Sequence, residues 1–168
     1  MPRGLKETSS IIQIGARVLE SAANTFTAQQ VDLQLNPLDN EVFVVYAVDL
    51  DVLEPNLIPG TDTAISTSIS TTSRSSVGTL ADSNVLATNR VEIQSAGGET
   101  ARGQYASDSA PSTQLEYLAI IATNDFFVNI QGSNNAAGRS AKARVYGVRA
   151  RADASIYAAL VQSELLSA

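Results

Sequence analysis

Cysteine, histidine and tryptophan do not occur in this chain of 168 residues, and methionine occurs once. Without cysteine there is no disulfide, no thiolate nucleophile and no thiolate metal site. Without histidine the commonest general base, the usual catalytic triads and most zinc or iron sites are excluded. Long apolar runs are missing too, since no stretch approaches the ~18 residues that a membrane span requires. The opening "MPRGLKETSS" lacks the apolar segment of a signal peptide, so a soluble product retained inside the cell is expected. Positive charge is not in excess either. The net charge of −6 argues against a general nucleic-acid-binding surface, because such domains are usually basic.

What is present points to a β protein. The length suits one domain that buries roughly 70% of its unfolded surface and needs no covalent staples. Apolar residues make up 44%, much of it Ala and Val, and Ser, Thr and Asn dominate the remainder. That composition fits sheets with many small side chains and does not fit disorder.

Along the chain, residues 1–10 read as a flexible N-terminal arm, and "IIQIGARVLES" reads as extended. "TFTAQQVDLQL" alternates with a slip at Gln29-Gln30, which suggests a β-bulge. "EVFVVYAVDLDVLE" is the strongest strand. Val42, Val44, Tyr46, Val48, Leu50 and Val52 are expected to form one unbroken apolar face, with Asp49 and Asp51 ending the opposite one. Such a strand is central, covered on both sides for half its length. "TAISTSISTTS" and "NVLATNRVEIQS" follow as strands, Gly97-Gly98 opens a long polar loop to Pro111, and "TQLEYLAIIAT" and "FFVNIQG" read as a hairpin. "SAKARVYGVRARA" is a last strand. Residues 153–168 alone show helical spacing, with Asp153 or Ser155 as cap and Ile156, Tyr157, Leu160, Val161 and Leu165 as a stripe. About eight strands, no βαβ unit and one terminal helix predict an all-β antiparallel sandwich over residues 11–152. A jelly roll is the favoured version.

No constellation of side chains selects a reaction, and no cofactor is implied. Asp49, Asp51 and Glu54 could hold a hard cation such as calcium, although a solvated strand end accounts for them equally. "GGETARGQ" lacks the Gly-Lys-Ser/Thr ending of a phosphate loop, and Ser140 with Lys142 is not the Ser-x-x-Lys of acyl enzymes. An enzyme working by carboxylates alone would draw on Asp49, Glu116 or Asp125, and their spacing selects no pair.

The basic strand is the more pointed signal. Arg139, Lys142, Arg144, Arg149 and Arg151 hold five of the eleven basic residues. Arg149 and Arg151 share a face with Val145, and Lys142 and Arg144 take the other. Three readings stand together: an edge strand protected by charge, pairing with acidic surface on a neighbouring subunit, and contact with nucleic acid. Nine arginines against two lysines favour planar pairing with carboxylates.

The order of parts resembles the small single-jelly-roll capsid proteins of icosahedral viruses. The resemblance is carried by the arm "MPRGLKETSS", the two-faced strand "EVFVVYAVDLDV", the connection "STTSRSSVGTLADSN", the hairpin "LEYLAIIATNDFFVNI" and the basic last strand. It implies a structural tile without catalysis, assembled in the host cytoplasm into a virion shell from copies of itself, with other capsid proteins as further partners. The arm carries only Arg3 and Lys6, so a shell around a membrane or a separately packaged genome fits better than direct RNA condensation. On this reading subunit contacts are expected from Asp49, Asp51, Glu54, Arg144, Arg149 and Arg151 and from Ile156, Tyr157 and Leu160 of the tail. The alternative is a carbohydrate-binding or adhesin-type sandwich, for which Tyr105 is the one aromatic in a polar segment.

Overall fold

Short alternating segments separated by Gly, Pro, Asn and Asp fold into ten strands, one α-helix and a single turn of 3-10 helix (Pro37–Asp39) in the computed structural model, which describes residues 1–111 and 113–167. The strands are β1 (Leu5–Glu7), β2 (Ile12–Leu19), β3 (Thr27–Asp32), β4 (Glu41–Val52), β5 (Thr63–Ser70), β6 (Val85–Ala96), β7 (Glu99–Ala106), β8 (Ala119–Ile121), β9 (Asp125–Ser133) and β10 (Ser140–Ala152). Helix α1 (Ala154–Leu166) follows, and Ala168 of the expected tail lies outside the described residues.

All pairings are antiparallel, and four of them are nested: β2 with β10, β3 with β9, β4 with β8, and β5 with β6. The chain is thus one long hairpin. That hairpin is rolled up by two further pairings, β10 with β4 and β9 with β5. Sheet A is ordered β2-β10-β4-β8, and sheet B β3-β9-β5-β6-β7. This is jelly-roll winding, in which two facing sheets close one core. Between them lie Phe43, Val45, Ile65, Ile69, Ile121, Phe126, Val128 and Ile130, all buried. Each such side chain contributes about 1.5–3 kcal/mol relative to exposure.

A second apolar layer lies on the outside of sheet A. Val42, Val44, Val148, Ala150 and Ala152 are buried there beneath Ile156, Tyr157, Leu160 and Val161 of α1. Asp153 is the N-cap residue, and its side chain makes no capping bond; its backbone N–H donates to Gly4 O at 3.1 Å.

The face expected to run unbroken from Val42 to Val52 is in fact split. The register against β10 slips between Tyr146 and Gly147, leaving Tyr46 as an extra residue on β4. Such a bulge reverses which face every later side chain takes. Val42, Val44 and Tyr46 therefore join the outer layer, while Val48, Leu50 and Val52 join the inner core. Gly147 permits the close approach: a Cβ there would lie 2.3 Å from Val44 O and 2.7 Å from the Phe43 ring.

Four other expectations change. The hairpin expected from "TQLEYLAIIAT" and "FFVNIQG" does not form: β8 pairs with β4 in sheet A and β9 with β3 and β5 in sheet B, so the turn between them crosses from one sheet to the other. The Gln29-Gln30 bulge does not occur, and β3 pairs in continuous register with β9 because Leu33 and Leu35 reach the core only after the strand has ended. The polar loop after Gly97 is a hairpin. Gly97 and Gly98 have φ of +61° and +83°, as a two-residue turn matched to strand twist demands, and β7 pairs with β6 from Glu99 to Ala106. The N-terminal segment, expected as a loose arm, supplies β1, which lies end to end with β2 along β10. Tyr46 Oη donates to Glu7 Oε1 at 3.0 Å and fastens it further.

Candidate functional site

The basic strand β10 is not an edge. It lies between β4 on one side and β1 with β2 on the other, so the protected-edge reading does not hold. Its neighbour β4 is the acidic strand, and the antiparallel register sets opposite charges face to face: Lys142 opposite Asp51, Arg144 opposite Asp49, and Arg151 opposite Glu41. Opposite charges directly across a pair are favourable. Tyr146 Oη donates to Asp49 Oδ2 at 3.1 Å, and Lys142 Nζ lies 4.0 Å from Asp51 Oδ2. The Arg144 guanidinium is pushed above its ordinary pKa by the Tyr146 oxygen beside it and, more weakly, by Asp49.

The two arginines at the far end of β10 are likewise engaged within the chain. Arg149 donates to Leu33 O at 2.7 Å, Gln34 O at 3.1 Å and Glu41 Oε2 at 3.0 Å, closing one end of the sandwich. Arg151 meets Asp39 at 2.9 Å. Glu54 lies elsewhere, gripped by Arg102 with its closest oxygen 2.6 Å away, and that guanidinium holds its carboxyl below the usual range. Asp49, Asp51 and Glu54 thus face three different cations. Among the described residues no three acidic side chains are placed to share a metal ion. Glu116 meets the amino group of Met1 at 3.1 Å, and Asp125 accepts from Gln30 Nε2. Asp49 stands on β4, Asp125 on β9 and Glu116 in the connection before β8.

Of the tail residues expected at subunit contacts, Ile156, Tyr157 and Leu160 pack against their own sheet A. The outward side of α1 instead presents Ala158, Leu165 and Leu166, which with Val161 and Gln162 line a shallow apolar groove. Leu165 is 63% exposed and Leu166 79%.

Two buried carboxylates carried no warning in the sequence. Glu20 accepts from the backbone N–H groups of Gly132 at 2.6 Å and Arg139 at 2.8 Å, tying the end of β2 to the β9–β10 turn. Glu164 accepts from Ala122 N at 3.1 Å and Thr123 N at 2.7 Å, and so pins α1 to the end of β8. Burial pushes its carboxyl above the ordinary glutamate range, against the pull of those N–H donors. The aromatic expected in a polar segment, Tyr105, stands on β7 beside the outer face of sheet B, where a cleft opens between β5, β6, β9 and residues 76–80. A scan against protein-family models finds no match, and a search of curated proteins finds no relative.

Proposed function

We propose that this chain is a structural, non-catalytic subunit that assembles with copies of itself into a shell of the viral capsid type, formed in the host cytoplasm. One observation carries the reading. Helix α1 contains a single charged residue, Glu164, and that residue is turned inward and buried. A helix lying on a protein surface ordinarily puts its charges toward water. This one puts Ala158, Leu165 and Leu166 there instead. An uncharged apolar face is complementary to itself, which suits contact between identical subunits about a two-fold axis. Because the ion pairs of β4 and β10 are closed within the chain, the leading contact moves from charge to this apolar face. Other shell proteins as additional partners belong to the same reading.

The test is sedimentation velocity with negative-stain electron microscopy across protein concentration and salt. Assemblies are expected in the wild type. The double change Leu165→Glu and Leu166→Glu is expected to disperse them while leaving thermal stability within about 0.5 kcal/mol, as for exposed positions generally. A wild type that stays monomeric throughout, or assemblies indifferent to both glutamates, overturns the reading.

A further inference from the structure

The outer face of sheet B carries a row of polar side chains, most of which the fold itself does not use. Gln131 on β9, Ser66 on β5, Arg90 on β6 and Tyr105 on β7 are successive cross-strand partners. Directly opposed residues share a face, and four strands at ordinary spacing extend the row over about 14 Å. The adjacent row is Ser133, Ala64, Glu92 and Gly103, whose small side chains on β5 and β7 leave a trough. Residues 76–80 stand as a wall on the other side of the Gln131–Tyr105 row, over Ser68, and the open cleft has a volume of ≈ 680 Å³. That is within the range of about 300–1,000 Å³ typical of small-ligand sites.

Three features define what would fit. The first is charge: Arg90 is paired with Glu92 at 3.1 Å, so the trough presents no net charge to an incoming anion or cation. The second is hydrogen-bonding capacity. Among the described residues, the side chains of Ser66, Thr88, Tyr105, Gln131 and Ser133 line the cleft and make no hydrogen bond within the protein. The neighbouring part of the same face behaves differently. There Asn129 Nδ2 donates to Ser70 Oγ at 2.9 Å and Gly78 N donates to Ser68 Oγ at 3.1 Å, because the β5–β6 connection covers them.

The third feature is the tyrosine. A Cβ on Gly103 would lie 3.3 Å from the Tyr105 ring, so that ring lies back across the glycine. With the residue 62% exposed, one ring face is left open. An aromatic face is the negative side of the ring and attracts weakly positive C–H groups. Hydroxyls and a carboxamide beside an open aromatic face, in a trough without net charge, match a ligand that alternates hydroxyl groups with C–H surface. We propose that this cleft binds a neutral oligosaccharide, stacked on Tyr105 and hydrogen-bonded by Ser66, Gln131 and Ser133. The inference stands apart from self-assembly, since α1 lies on the opposite sheet.

The experiment is saturation-transfer NMR and titration calorimetry of the whole protein with maltotriose, cellotriose, xylotriose, mannotriose and chitotriose, with trigalacturonic acid as the charged comparison. At least one neutral trisaccharide is expected to bind with Kd of about 1 mM or tighter. Tyr105→Ala should weaken it at least tenfold and Gln131→Ala severalfold, while Tyr105→Phe retains most of the affinity. Unchanged melting temperatures separate these losses from unfolding. No transfer to any neutral trisaccharide overturns the proposal. So does tighter binding of trigalacturonic acid, or affinity that survives Tyr105→Ala. The Leu165 and Leu166 variant should bind as the wild type does, whatever its assembly state.

Discussion

The outer faces of the two sheets solve the same problem differently. Each is covered at one end by a later or intervening segment: α1 over the Val- and Ala-rich end of sheet A, the β5–β6 connection over the Ser- and Asn-rich end of sheet B. Their other ends diverge. On sheet A the uncovered end is a ladder of Lys142, Arg144 and Tyr146 against Asp51 and Asp49, in which Tyr146 bonds to Asp49, Lys142 approaches Asp51 and Arg144 stands opposite Asp49 in register. On sheet B the uncovered end keeps free hydroxyls, a free carboxamide and an open ring. A face that satisfies itself needs no ligand. A face that leaves polar groups facing water can exchange that water for one.

The comparison is broken most severely at Gly147, because sheet A owes its two apolar layers to the bulge there. Gly147→Ala places a Cβ 2.3 Å from Val44 O, a backbone atom fixed by the β4–β8 ladder. Overpacking of this kind costs about 3 kcal/mol. Chemical denaturation should show a loss of that size. A loss below about 1 kcal/mol would mean that β4 tolerates a regular register, and the division between outer and inner layers would then rest on α1 alone.

The next largest effect tests what holds α1 on sheet A. Glu164→Ala leaves the buried N–H groups of Ala122 and Thr123 without an acceptor, at a cost of about 2 kcal/mol. Glu164→Gln keeps an acceptor in place and removes the charge. The two variants also differ in pH dependence. Burial, with a smaller contribution from Asp125, raises the folded-state pKa above the unfolded value of about 4.3. The neutral carboxyl therefore favours the folded state. Its contribution is fully present below the unfolded pKa and is lost as pH rises through the folded one. Denaturation midpoints followed from about pH 4 upward should fall more in the wild type than in Glu164→Gln. Equal slopes would show that the N–H donors offset burial.

Much of this architecture is legible in the sequence where the signal is local. The alternation of "TAISTSIS", the density of β-branched residues in β4 and the helical spacing after Asp153 all depend on neighbours a few positions away, whereas the hairpin expected around Asn124 does not form, because β8 and β9 take their partners from opposite sheets. The misread parts are those where distant segments decide. The bulge at Tyr46 exists because Gly147, a hundred residues later, allows the strands to close. Glu20 and Glu164 look like surface acids until the β9–β10 turn and β8 supply N–H donors to them. The same holds for function. Charges on two separate segments look like interface charges, and only the jelly-roll register shows that those segments are neighbours. The row from Gln131 to Tyr105 joins four segments whose pairing no local pattern specifies.

The smallest effect is also the one that sharpens the comparison most directly. If the ladder of sheet A is closed within each chain, Lys142→Glu should cost no more than about 0.5 kcal/mol, since both it and Asp51 are exposed and their ammonium and carboxylate groups are 4.0 Å apart. Adding Asp51→Lys should recover most of that loss, because the pair is merely reversed across the same register position. Raising the salt concentration should shrink both differences. Sedimentation should remain that of the wild type for each variant. If the single change disperses assemblies and the double change does not restore them, Lys142 faces another molecule, and the ladder takes its place beside the Leu165–Leu166 groove as a contact between subunits.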